Sequence, residues 1–309
     1  MLAAAIVAGP VAAVGQTGEP ETALSEAAAA VESQRLYLSG TGPDDPVGWE
    51  FRIDSGRGAG EWRVIPVPSN WELEGFGRYT HGKQWWRPAE KAIYRTRFVA
   101  PPDYRGRRVE LVFEGVMTDA EVLLNGRPAG EVHRGGYTRF AYDVSTMLWF
   151  HRPNRLEVRV AEESADPSVN RAEREADYWI FGGIYRPVYL EAHPAASITR
   201  VKVDARHDGR LKVDVATVGA EPAEVRAQVE TLAGEPVGET LAAAIDGDRG
   251  ARIEGTVEGV EPWSAEFPNL YRLRLELAEP GGEPLHRRYV RIGFRTVEPG
   301  ARTRYSEAS

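Results

Sequence analysis

From Leu36 onward, apolar and polar residues alternate with a period of two in short runs. That period belongs to strands, whose successive side chains point to opposite faces. "RVELVFEGV" puts Val109, Leu111 and Phe113 on one face, "TRFAYDVS" does the same for Phe140, Tyr142 and Val144, and "NRLEVRVAEE" for Leu156, Val158 and Val160. "AEVLLNGRPAGEV" contains Asn125-Gly126, a strong hairpin signal because both central positions of that turn need positive φ. Helical spacing is almost absent. Many short strands with tight turns predict an all-β chain, beginning with a jelly roll or similar sandwich.

The texture changes at "EAHPAASITR" (191–200), which reads as a joint. Beyond it, "RVKVDARHDGRLKVDVATV" is a hairpin around Asp208-Gly209. "AEVRAQVETLAGEPVGET" is a second strand pair, and "LYRLRLELAEPGGEPLHRRYVRIGF" a third. About seven short strands in roughly 100 residues fit an immunoglobulin-like sandwich. The expected division is 1–35 leader or signal-like segment, 36–194 jelly roll, 195–298 immunoglobulin-like sandwich and 299–309 tail.

Composition narrows the functional classes. A length of 309 residues fits about two domains, and 42% hydrophobic residues can bury real cores. A net charge of −8 argues against nucleic acid and anionic membrane as partners, since both need a basic footprint. There is no cysteine, so disulfides, thiolate zinc sites and thiol nucleophiles are excluded. The opening "MLAAAIVAGPVAAVGQ" is uncharged and too short to span a membrane. It resembles the core of a secretory signal, so a periplasmic or secreted location is expected, with the cytoplasm left open.

Few motifs carry chemistry. "SGRGAGEW" is followed by an extended run rather than a helix, so it reads as a turn and not a phosphate loop. The histidines are scattered, and no Gly-x-Ser-x-Gly elbow appears. "VPSNWELEGFGRYTHGKQWWRP" (67–88) is a long irregular segment with three tryptophans. Trp71, Trp85 and Trp86 either pack it onto the sandwich or line a binding loop, with Trp71 the best core candidate. "ADYWIFGGIYRP" has two readings as well. Gly182-Gly183 and Arg186 can close the fold, with Arg186 paired to a buried carboxylate. Asp177 beside Trp179 also suits a sugar site, the carboxylate accepting hydroxyl hydrogen bonds and the ring covering a pyranose face.

Together "VPSNWELEGFG", "YRTRFVAPPDYRGRRVELVFEGVMTDAEVLLNGRPAGEV", "ADYWIFGGIYRPVYLE", "EFPNLYRLRLEL" and "GFRTVE" resemble, in order, glycoside hydrolase family 2, the family of β-galactosidases, β-glucuronidases and β-mannosidases. The resemblance runs from about residue 36 to 298. It implies a sugar-binding jelly roll, then an immunoglobulin-like domain, with a catalytic (β/α)₈ barrel following in the family. Both family catalytic glutamates belong to that barrel. No glutamate here matches either motif, so no catalytic residue is assigned, and "PGARTRYSEAS" reads as a truncated tail. The resemblance assigns substrate contact to Asp177, with Trp179 beside it, and in some members a sodium or magnesium ion in the complete enzyme. A loop Asn reaches the site in some members, and at its counterpart in "YTHG" stands His81. The implied function is the non-catalytic front part of an O-glycosyl hydrolase, most like a β-galactosidase. Its partners would be carbohydrate, a barrel in cis or trans, and a second copy in a homo-oligomer. The alternative is a free-standing carbohydrate-binding module.

Overall fold

The computed structural model describes residues 31–78, 89–175, 181–219, 223–247 and 250–297. The described chain is an all-β molecule of two successive sandwiches. The first contains β1 (Gln34–Tyr37), β2 (Val47–Ile53), β3 (Arg63–Val67), β4 (Lys91–Phe98), β5 (Arg108–Phe113), β6 (Asp119–Leu124), β7 (Arg127–Pro128), β8 (His133–Arg134), β9 (Phe140–Asp143), β10 (Asn154–Ala161) and β11 (Val188–His193). One sheet runs β1-β11-β5-β9. The other runs β3-β2-β4-β10-β6-β7, with β8 also paired to β6.

The alternation explains why these sheets stack. In β2, Trp49, Phe51 and Ile53 are buried, while Glu50 and Arg52 between them face outward. Leu156, Val158 and Val160 of β10 and Leu111 and Phe113 of β5 join the same core. Each such side chain, fully buried, contributes roughly 1.5–3 kcal/mol. The Trp49 indole N–H is satisfied by the Leu38 carbonyl at 2.9 Å. The Asn125-Gly126 turn has the expected positive φ at both residues, 55° and 81°. Asn125 Nδ2 further donates to the Met147 carbonyl and to Asn154 Oδ1, each at 2.9 Å, locking β6 to the approach of β10.

The second sandwich packs a sheet ordered β12-β13-β16 (Ser197–Ala205, Arg210–Val218, Ala251–Thr256) onto one ordered β15-β14-β17-β18 (Pro236–Ala244, Glu224–Glu230, Tyr271–Ala278, Pro284–Ile292). Its own core holds Leu211, Val213, Val225, Leu273, Leu275 and Phe294. Among the described residues a short α-helix, α1 (Pro167–Glu173), departs from the strand pattern. It buries no residue, so no apolar stripe announces it. Its signal is local: Asp166 caps it by accepting from Ser168 N, and Pro167 occupies the first turn. No helix among the described residues is long and apolar enough to cross a membrane.

Candidate functional site

The candidate site is built where the turn after β3 meets the glycine pair before β11. Ser69 N donates to the Ile184 carbonyl at 2.9 Å and Trp71 N to the Gly182 carbonyl at 3.2 Å. Asn70 Nδ2 reaches the carbonyls of Phe181 and Gly182, both at 3.3 Å. Trp71 is wholly buried, so this tryptophan packs the core. Its ring is also the reason for Gly182, where an added Cβ would lie 2.0 Å from Trp71 Cζ2. Gly183 answers a different need, with φ at +127° and a carbonyl and N–H both paired to Met117. The glycines therefore close the fold. Arg186 does not pair with a buried carboxylate among the described residues. Its guanidinium lies 5.4 Å from the centre of the Tyr185 ring, a cation–π contact.

Beneath this turn lies a cluster of three buried glutamates. Glu72 belongs to the turn after β3, Glu90 immediately precedes β4, and Glu162 immediately follows β10. Each is under 10% exposed, and their carboxylate oxygens come within 4.8 Å of one another. Glu72 accepts from Gly182 N at 3.0 and 3.1 Å. Glu90 accepts from Arg78 N at 3.3 Å, and Glu162 from Glu90 N at 3.3 Å. Arg174 lies 3.8 Å from Glu162 and donates to its carbonyl at 2.6 Å.

Burial sets the protonation of this trio. Loss of water pushes Glu72 up to about 7 and, reinforced by the Glu72 charge, Glu162 up to about 8; burial raises Glu90 as well. Three carboxylates with one guanidinium beside them cannot all ionise at neutral pH, so they titrate as a coupled, proton-sharing group. Their spacing approaches the roughly 5–5.5 Å of a retaining glycosidase pair. Yet all three are buried and accept from protein N–H groups, so they do not face an open cleft as a glycosidase pair must. A magnesium ion would want six oxygen ligands in near-octahedral array. The trio offers only three carboxylates, each meeting a backbone N–H while Glu90 Oε1 is buried without a partner among the described residues, and with their proton affinities raised by burial, protons fit that set better than a metal. A second cluster, Glu110, Glu191 and His193, also gathers within 4.8 Å. Arg35 and Arg139 already neutralise Glu191 there, at 2.7 and 3.3 Å, so guanidinium groups stand where a cation would.

The trio ties together the borders of the two segments that carry the sequence-derived candidates. His81, Trp85 and Trp86 fall in 79–88, and Asp177 and Trp179 in 176–180; all five lie outside the described residues. The residues bordering these segments converge on the carboxylates. Arg78 and Glu90 border 79–88, while Arg174 and Gly182 stand at either side of 176–180. The sequence reading passed over the glutamates, although a signal was present. Glu90 shares the inward parity of Ala92 and Tyr94, and Glu162 that of Val158 and Val160. An acidic residue in phase with a buried apolar row is the mark of a buried polar site.

The family comparisons agree with this architecture. Residues 75–194 match the glycosyl hydrolase 2 galactose-binding domain-like model, and residues 196–295 match the model of glycosyl hydrolases family 2. A β-galactosidase of Psychromonas ingrahamii is 29% identical over 266 residues, covering 77% of this chain and 25% of that protein. A β-galactosidase of Bacteroides ovatus is 27% identical over 281 residues, covering 82% of this chain and 31% of that protein. The chain thus spans about a quarter to a third of the length of these relatives. Among solved structures, a β-glucuronidase from Ruminococcus gnavus in complex with D-glucuronic acid shares the fold with a TM-score of 0.64 at 22% identity, over 86% of this chain and 46% of that one. With both sandwiches matched in order by models of one family, the chain belongs to glycosyl hydrolase family 2.

Proposed function

We propose that this chain is the substrate-positioning front part of a β-glycoside hydrolase of the β-galactosidase or β-glucuronidase type, working with a catalytic barrel supplied in cis or in trans. The observation that carries the reading is the convergence of the borders of 79–88 and 176–180 on the Glu72–Glu90–Glu162 trio. A buried anchor of that kind brings the borders of both segments together at one end of the jelly roll, and this supports a sugar-holding role for the segments between them. In this reading Asp177 accepts sugar hydroxyl hydrogen bonds, with or without a sodium ion, Trp179 covers a ring face, and His81 contributes a polar contact. Bond cleavage needs two carboxylates flanking the glycosidic oxygen, and these come from the barrel. A periplasmic or secreted location fits the apolar, uncharged start of the chain.

The test is kinetic. The 309-residue chain alone is expected to leave nitrophenyl β-galactoside and β-glucuronide intact. When joined to a family barrel, the Asp177→Asn variant is expected to lose roughly ten- to hundred-fold in kcat/KM at unchanged melting temperature. This follows from losing hydrogen bonds to a charged group, about 1.5–3 kcal/mol. Turnover by the chain alone that survives repurification and disappears on substituting one of its own carboxylates would overturn the reading.

A further inference from the structure

The outer face of the larger sheet in the first sandwich carries an arrangement that neither the fold nor the loop site explains. Side chains alternate, so Glu50 and Arg52 of β2, Arg95 and Arg97 of β4, and Arg155, Glu157 and Arg159 of β10 all point away from the core. Across the strands, Arg95 stands in register with Glu50 on one side and Glu157 on the other, an ordinary alternation of charge. The adjacent row breaks that pattern, because Arg97 and Arg155 are directly opposed in the β4–β10 register. Like charges directly opposite each other destabilise a sheet.

Only one member of this pair is relieved, Arg155 by Glu157. Among the described residues Arg97 has no carboxylate partner within salt-bridge range. Glu157 is shared by three guanidinium groups: Arg95 at 2.8 Å, Arg159 at 3.1 Å and Arg155 at 3.3 Å. Positive charge is thus in local excess on a molecule whose net charge is −8. Arg95, Arg97 and Arg155 line a groove of about 460 Å³ with Gly48, Glu50 and Thr96. At its side Trp62 is 40% exposed, with the guanidinium of Arg95 4.1 Å from its ring centre. The Arg97–Arg155 row lies about 20 Å along β4 from the Glu90 end, so it is separate from the loop site.

We propose that this groove is a second carbohydrate-binding surface, selective for a uronic-acid-containing oligosaccharide, with Arg97 and Arg155 clamping a sugar carboxylate. A guanidinium fork matches a planar carboxylate with two parallel hydrogen bonds. Glu50 supplies an acceptor for sugar hydroxyls, which a groove made for a densely charged polyanion would lack. The strongly negative remainder of the chain also disfavours nucleic acid and heavily sulfated chains and favours a partner carrying one charge per sugar. The assignment is independent of the barrel, because every residue in it belongs to this chain.

The test is calorimetric titration of the full chain with a hexameric oligogalacturonate at low and moderate salt. Parallel titrations use its methyl ester, a neutral galacto-oligosaccharide, a sulfated oligosaccharide and a single-stranded oligonucleotide. Binding of the free-acid uronate is expected to weaken with salt and to fall at least tenfold in both Arg97→Gln and Arg155→Gln. Melting temperatures of these variants should be unchanged or raised, since each substitution removes a like-charge repulsion. Absence of uronate binding, or binding unaffected by either substitution, would overturn the proposal. So would equal binding of the ester, tighter binding of the sulfated chain or oligonucleotide, or a concentration-dependent dimer abolished by Arg97→Gln. A lowered melting temperature in both variants would show that the arginines are structural and would overturn it as well.

Discussion

At the residue scale the decisive feature is a carboxylic acid kept protonated by burial. Glu162 is pushed up to about 8 and Glu72 to about 7, first by desolvation, from an ordinary value of 4.5. Their folded-state affinity for protons exceeds that of the unfolded chain, so their contribution to stability is complete below about pH 4.5. It is lost as pH rises through 7 to 8. The melting temperature is therefore expected to decline between pH 5 and pH 8. Glu162→Gln, which fixes a neutral group of the same shape, should flatten that decline and stabilise the chain at pH 8 by on the order of a few kcal/mol. Thermal melts of both proteins across that range check this, and a decline equally steep in the variant would refute it. Glu110 works in the opposite direction: its hydrogen bond to His193 holds it down to about 2, so its contribution is full above 4.5 and is lost as pH falls toward 2. The two effects place the stability maximum on the acidic side of neutrality.

At the element scale, how much was legible depended on whether structure left a periodic trace. The strands were legible because each has one wet and one dry face, as in β10, where buried and more exposed residues alternate throughout. The Asn125-Gly126 turn was legible because its φ values restrict residue choice. Helix α1 was not, because a helix with no buried side chain has no apolar period to read. The glutamate trio was half-legible: parity marks Glu90 and Glu162 as inward, but only tertiary contact shows that they meet each other and Glu72. Gly182-Gly183 was legible as a pair that closes the fold, while the object it closes on, the Trp71 ring, could not be read from the sequence. Because that ring occupies the space of a Cβ, Gly182→Ala is expected to force Trp71 from its seat and cost about 1–3 kcal/mol. Urea denaturation would measure this. A variant as stable as the parent would mean that the Trp71 packing is more yielding than the structure implies.

At the scale of the whole molecule, the two sandwiches are joined by a hydrogen-bond chain whose direction can be worked out. Ile198 N, in β12, donates to His286 Nδ1 at 2.9 Å, so that nitrogen carries no proton. His286 Nε2 must then hold the proton of the neutral ring, and it donates to Ser33 Oγ at 3.2 Å. Ser33 in turn donates to His193 Nδ1 at 2.8 Å, and His193 Nε2 to Glu110 at 3.2 Å. The chain thus runs from the second sandwich through the segment before β1 into β11 and β5, with the tautomer of His286 fixed by the Ile198 N–H. Burial, aided by the neighbouring His193, lowers His286 to about 4 from an ordinary value of 6.5. A lowered histidine contributes stability that is full above 6.5 and is lost as pH falls through 4. Protonation of Nδ1 would turn an acceptor into a donor facing the Ile198 N–H, leaving two donors opposed in a buried joint. The sandwiches should accordingly melt as one unit near pH 7 and as two resolved transitions near pH 3.5. Replacing His286 with Ala should uncouple them even at pH 7, by leaving the Ile198 N–H without its acceptor at a cost of about 1–3 kcal/mol. Differential scanning calorimetry at the two pH values is the measurement. A single transition under every condition would show that the joint is held by something other than this chain, and separate transitions in the parent at pH 7 would show that the chain does not couple the sandwiches at all.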